Sequence, residues 1–141
     1  MTKHGPIIIV EDDEDDQEIF GEIFKKLGHK NEIIFFSDGE EAFEFLCKRD
    51  VFPFLIFSDI NMPKLSGMQL RDKIQANEAL RIKSIPFIFF TTTASKNFVL
   101  EAYYKSVQGF FQKPNTLEDL ERTIRLIIDY WKECISPNKY E

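Results

Sequence analysis

The chain is short of the residue types that most often build dedicated chemistry. It has two cysteines, two histidines and one tryptophan among 141 residues. Cys47 and Cys134 show no metal-type spacing, which points to a reduced protein and an expected cytoplasmic location. Both read as small hydrophobes in or beside helices. His4 and His29 stand alone and read as surface residues rather than ligands. Positive charge is also scarce: 18 Lys and Arg face 24 Asp and Glu, for a formal net charge of -6. That excludes a nucleic-acid partner gripped through its phosphates, which needs a basic face. No apolar run approaches the roughly 20 residues of a membrane span. The start Met1-Thr2-Lys3-His4-Gly5-Pro6 lacks a signal-peptide pattern. No repeat, low-complexity tract or interdomain linker interrupts the chain.

What is abundant is apolar and aromatic. Hydrophobic residues make up 43%, with 15 Phe, enough for one Phe-rich core. One domain is expected over 1–141, with its core at about 6–132 and a polar tail at 136–141. Apolar runs at Ile7 to Val10, Glu32 to Phe36, Phe54 to Ser58, Pro86 to Phe90 and Gly109 to Phe111 read as strands. They do not alternate with polar residues, as expected of strands covered on both faces. Helix-period segments lie between them. Ile19, Phe20, Ile23, Phe24 and Leu27 form one face that stops at Gly28. Ser37 and Glu40 have capping-box spacing before Ala42, Phe43 and Leu46. A third helix begins near Gly67 and uses Leu70 and Ile74. A fourth spans Lys96 to Lys105, with Val99, Ala102 and Tyr103 inward. Thr116 caps a fifth, striped by Leu117, Leu120, Ile124, Ile127, Ile128 and Trp131. Five strands and five helices in alternation predict an α/β fold. It is a flavodoxin-like (βα)5, doubly wound five-stranded parallel sheet of order 2-1-3-4-5.

Polar groups follow the strands. Glu11 and Asp12 follow the first, Asp59 the third, Thr91 the fourth and Lys113 the fifth. The C-terminal ends of parallel strands share one edge, where ligands bind. Glu11 to Asp16 are six acidic residues in a row. Asp13, Glu14, Asp15 and Asp16 read as a solvated helix start, favourable to the macrodipole by ~0.3–1 kcal/mol each. Glu11 and Asp12 face the ligand edge with Asp59. Two unit charges about 4 Å apart repel by roughly 4 kcal/mol at an effective dielectric of 20. Three such carboxylates against one Lys113 leave an excess that calls for a divalent cation. Oxygen ligands favour a hard ion, so Mg²⁺ is expected on Asp12 and Asp59, with Glu11 acting through water. The backbone carbonyl of Asn61 is a candidate further ligand.

At these positions the chain resembles the receiver domain of two-component response regulators, over about residues 6 to 132. The family has an acidic pair after the first strand, a phospho-accepting Asp after the third, Thr or Ser after the fourth and Lys-Pro after the fifth. Here these are Glu11-Asp12, Asp59, Thr91 and Lys113-Pro114. Asp59-Ile60-Asn61-Met62-Pro63-Lys64-Leu65-Ser66-Gly67 fits the family's D-x-x-M-P-x-x-x-G segment at every fixed position.

The resemblance implies that Asp59 takes a phosphoryl group from a phosphohistidine on a sensor histidine kinase or histidine phosphotransferase. Mg²⁺ is the implied cofactor. Lys113 pairs with a phosphoryl oxygen or, before transfer, with Asp59. Thr91 donates to another oxygen, with Thr92 its competitor one register step away. A cis Lys113-Pro114 bond is implied. Phe110 stands where the family has a switch aromatic, often Tyr, so its coupling is steric or it is ordinary core. The output face is implied to be the fourth helix, fifth strand and fifth helix. Gly67 is needed for a positive φ or close packing, while Met62 and Pro63 shape the loop. Asn61 and Thr93 flank the path of a hydrolytic water. The expected function is a stand-alone phosphorelay receiver, not an enzyme, with output through protein contacts to an unidentified target. Two alternatives stay open. One is a phosphorylation-independent binding module. The other is a phosphatase of the haloacid dehalogenase type, although Asn61 stands where that chemistry needs a second Asp.

Overall fold

A computed structural model of the chain describes residues 1–137. Five strands, β1 (Ile7–Val10), β2 (Ile33–Phe36), β3 (Leu55–Ser58), β4 (Phe87–Thr91) and β5 (Gly109–Gln112), form one sheet. Its order is β2-β1-β3-β4-β5 and every pairing is parallel. This is the expected topology. Among the described residues there are six helices rather than five: α1 (Glu14–Leu27), α2 (Gly39–Leu46), α3 (Gly67–Ala76), α4 (Glu78–Ile82), α5 (Lys96–Tyr104) and α6 (Leu117–Glu133). The unexpected α4 is one short turn capped by Asn77. Residues 138–141 of the expected polar tail lie outside the described residues. No helix among the described residues is long and apolar enough to cross a membrane.

Alternate side chains of the same strands feed two cores. Ile8, Val10, Ile56, Phe87 and Phe89 pack with Ala42, Leu46, Leu70, Ile74, Leu80 and Ala102 on the α2–α5 face. Ile7, Ile9, Leu55, Phe57, Ile88 and Phe90 pack with Phe20, Phe24, Ile124 and Ile128 on the α1–α6 face. Burial on both faces explains the unbroken apolar runs. Phe57 and Phe90 meet edge-on at 6.1 Å, and Phe20 joins Phe90 at 5.6 Å, the offset geometry aromatic quadrupoles favour.

Helix ends follow local chemistry. Gly28 stops α1 at φ 72, a left-handed value that suits glycine. Thr116 caps α6 as expected. The expected Ser37 cap is not used: Asp38 accepts from the Glu41 N–H, and its shorter distance to the helix start wins. A true capping box forms instead at α3, between Ser66 and Gln69. Two inward assignments are corrected. Tyr103 is 55% exposed and Leu117 is 61% exposed. Phe98 packs against the core in α5, and the α6 stripe begins at Leu120. Cys47 is exposed, beyond the last turn of α2, so it is no core hydrophobe.

Candidate functional site

Parallel register brings the tips of β1, β3, β4 and β5 to one edge. Val10 pairs with Ser58, Ser58 with Phe89, and Phe90 with Phe111. Each polar residue that follows a strand is therefore delivered to the same end of the sheet. The β1/β3 neighbourhood is also where strand order reverses, the usual crevice of such sheets.

Glu11, Asp12 and Asp59 each offer a carboxylate oxygen within 4.8 Å of the others. Lys113 reaches the same place from β5. Its Nζ lies 3.0 Å from Glu11 Oε2, 3.0 Å from Asp16 Oδ2 and 3.4 Å from Asp59 Oδ2. Asp59 is fixed at both ends. Its N–H donates to the Val10 carbonyl at 3.0 Å, and its Oδ1 accepts the Ile60 N–H at 2.7 Å. The Ser58 hydroxyl donates to the Asp59 carbonyl oxygen at 2.8 Å. Gln17 donates its side-chain amide to the Glu11 carbonyl oxygen. Gly67 closes the loop after Asp59, its N–H donating to the Ile60 carbonyl at 2.8 Å. A Cβ there would lie 2.1 Å from the Asp59 carbonyl oxygen and 2.8 Å from the Phe89 ring. Gly67 has no positive φ, so close packing is its requirement. The strained φ in this loop belongs to Lys64, at 63.

An open cavity of about 590 Å³ lies over the cluster, lined by the acidic run, Asp59, Thr92 and Lys113. Thr91 is buried at the end of β4, and its Oγ1 accepts the Thr93 N–H at 3.2 Å. The register competitor Thr92 is thus the hydroxyl on the cavity wall. Phe110 is half-buried and packs on Phe89 at 5.9 Å. Asn61 is exposed, Thr93 half-buried, and neither lines the cavity. No peptide bond among the described residues is cis, so Lys113-Pro114 is trans, contrary to expectation. His4 is exposed and His29 half-buried, both remote from the cavity. Asp16 was legible only as a solvated helix residue. Its contact with Lys113 spans 97 positions, beyond any local pattern.

Burial and neighbouring charge together set the protonation behaviour. Burial pushes the Glu11 carboxyl up, and Asp59 adds to this while Lys113 opposes it. The result is a pKa raised from 4.5 to about 8. Burial pulls the Lys113 ammonium down, but Glu11, Asp59 and Asp16 outweigh it and hold it above its ordinary value. Three close carboxylates and one ammonium fit a divalent cation, because a second positive centre beside Glu11 and Asp59 would offset both the burial of the Glu11 charge and its repulsion by Asp59.

A consequence can be measured. With Glu11 raised in the folded state, the native protein binds more protons than the unfolded chain between 4.5 and about 8. Metal-free stability is therefore expected to fall as pH rises through that window and then level off. Urea unfolding in chelator at about pH 5, 6.5 and 8 reads it, and Glu11→Gln should flatten the slope. A wild-type slope that Glu11→Gln leaves intact would refute the assignment.

Comparison with known proteins agrees with this arrangement. The model for the response regulator receiver domain matches residues 7–125. The chain is 30% identical over 135 residues to the response regulator Rcp1 of Synechocystis sp., covering 92% of this chain and 90% of that one. It is 31% identical over 129 residues to chemotaxis protein CheY-3 of Vibrio cholerae, covering 92% and 95%. A crystal structure of the Mn²⁺-bound form of Rcp1 superposes with a TM-score of 0.82 at 28% identity, covering 94% and 97%.

Proposed function

The chain belongs to the response regulator receiver family of two-component signalling, and on that premise we propose that it is a phosphorelay receiver phosphorylated on Asp59. The donor is a phosphohistidine on a sensor histidine kinase or histidine phosphotransferase. The observation that carries this reading is the meeting of Asp59, Glu11, Asp12 and Lys113 at one sheet edge.

The chemistry follows from the groups present. An Asp59 side-chain oxygen attacks phosphorus as the N–P bond breaks and the imidazole leaves. The cavity is open, which suits a donor presented on another protein. Ser58 and the Ile60 N–H orient the Asp59 unit. Glu11, Asp12, Asp59 and the Asn61 carbonyl would hold Mg²⁺, which supplies neutralisation of phosphoryl charge. Lys113 would pair with a phosphoryl oxygen by donating an N–H hydrogen bond from its ammonium. Thr91 already accepts from Thr93, but its own hydroxyl proton is free to donate, so it remains the proposed switch hydroxyl. Phe110 would move in steric response. Asn61 and Thr93 are proposed to tune hydrolysis of the acyl phosphate. Output passes through protein contacts on the α5–β5–α6 face, within the cytoplasm.

Acetyl phosphate, a small phosphoryl donor, tests this without the kinase. With Mg²⁺, intact mass spectrometry should show one phosphoryl adduct on wild type. The adduct should be absent with excess chelator and absent in Asp59→Asn. An undiminished adduct on Asp59→Asn, or none on wild type, would defeat the reading. Normal partner signalling by Asp59→Ala would instead favour a phosphorylation-independent module.

A further inference from the structure

Lys113 has more carboxylate company than one phosphoryl-binding lysine requires. An ammonium has three protons, and here three carboxylates surround it, two from the acidic run and Asp59 from the end of β3. Glu11 and Asp16 hold it at 3.0 Å, while Asp59 stands back at 3.4 Å. Asp16 is the odd member. It is outside the Glu11, Asp12 and Asp59 group whose oxygens converge for a cation. It projects from the first turn of α1, which Asp13 fixes by accepting the Asp15 and Asp16 N–H groups at 2.9 and 3.1 Å. The macrodipole favours an acid anywhere in that turn and so accounts equally for Glu14, Asp15 and Asp16. It does not account for the reach of Asp16 alone to Lys113.

We propose that Asp16 is a positioning residue that draws the Lys113 ammonium off Asp59, leaving the Asp59 carboxylate open to a cation and to phosphorus. The proposal rests on the phospho-acceptor reading above. Without Asp16 the ammonium has only Glu11 and Asp59 to share, and it closes on Asp59. A tighter Lys113–Asp59 pair competes with the cation and withdraws the nucleophile's lone pairs. When a cation engages Glu11 and Asp59, Asp16 is the partner that stays on Lys113 and keeps its amine at the cavity wall. The Asp16 side chain is 35% exposed against 3% for Glu11, so it meets Lys113 from the solvent side of the cavity.

The test uses the full chain, with Asp16→Ala, Asp16→Asn and Lys113→Ala. Calorimetry with Mg²⁺ alone reads cation affinity, and intact mass after acetyl phosphate reads the phosphorylation rate. Asp16→Ala is expected to weaken Mg²⁺ by about 5-fold and slow phosphorylation by about 10-fold, with Asp16→Asn between it and wild type. In the Lys113→Ala background, Asp16→Ala should change Mg²⁺ affinity by less than about 2-fold, because the effect runs through the lysine. An equal loss in both backgrounds would mean a plain field effect and would overturn the proposal. So would an Asp16→Ala protein that matches wild type or is phosphorylated faster. Melting temperatures within a few degrees of wild type confirm that the variants fold, and Asp16→Asn serves if Asp16→Ala does not. A wild type that neither binds Mg²⁺ nor forms an adduct sinks the phospho-acceptor reading and this proposal together, a pattern distinct from failure of the variant alone.

Discussion

Gly67→Ala is expected to destabilise the protein by about 3 kcal/mol and to displace the acceptor loop. The added Cβ would sit 2.1 Å from the Asp59 carbonyl oxygen and 3.0 Å from the Ile60 Cα. Both are backbone atoms, so no side-chain rotation relieves the clash. The ring of Phe89, at 2.8 Å, is fully buried and cannot retreat. Either α3 withdraws or Asp59 moves, and the Ile60 N–H bond to Asp59 Oδ1 is strained in both cases. The melting temperature should drop by roughly 10 °C, and Mg²⁺ affinity should fall with it. A variant as stable as wild type would show that the loop is not packed as described. Substitution at Gly28, whose added Cβ meets nothing within 4 Å, is the control: its penalty comes from φ alone and spares the site.

Lys113→Ala is the second large effect, and its pH dependence is the informative part. The lysine side chain is 10% exposed and its partner Glu11 3%. Removing the ammonium leaves Glu11 and Asp59 facing each other at the buried floor of the cavity. Breaking a buried pair in this way costs about 3–5 kcal/mol. The open cavity gives solvent partial access to the pair, so a loss of about 2–4 kcal/mol is expected above about pH 8, where Glu11 is ionised. At about pH 5, well below the raised Glu11 pKa, Glu11 is neutral and the loss should shrink. Lys113 itself is held above its ordinary 10.5, so in wild type its contribution is full below that pH and is lost only as pH rises past it. Mg²⁺ should restore much of the variant's stability and bind it more tightly than wild type. Urea unfolding in chelator at the two pH values decides it. An equal loss at both would mean that the lysine acts by packing its stem rather than by charge.

The legible parts of the fold share a cause. A strand buried on both faces has no polar positions to interrupt it, so the five apolar runs stand out, and a polar residue just after one marks the sheet edge. That rule located Glu11, Asp12, Asp59 and Lys113 from sequence, and the structure brings them together. What was hidden depends on facts that no local pattern contains. The α4 turn buries only Leu80, too little apolar periodicity to register. Ser37 and Asp38 are both good cap residues, and one residue of helix register chooses between them. Tyr103 and Leu117 fall at helix ends, where the chain leaves the sheet and the inward face is lost. Thr91 and Thr92 differ by one step of a strand, which sends one into the core edge and the other to the cavity wall. Asp16 needed the tertiary fold, because its partner lies on another strand.

The central claim is that Asp59, among seven carboxylates lining one cavity, is the group that accepts phosphorus. Borohydride reduction of the acetyl phosphate-treated protein, followed by peptide mass mapping, reads this directly, because it marks the acyl-phosphate residue by reducing its side chain. The mark is predicted at Asp59 alone. A mark at Glu11, Asp12 or Asp16, or a phosphorylated protein with no mark at Asp59, would contradict the account.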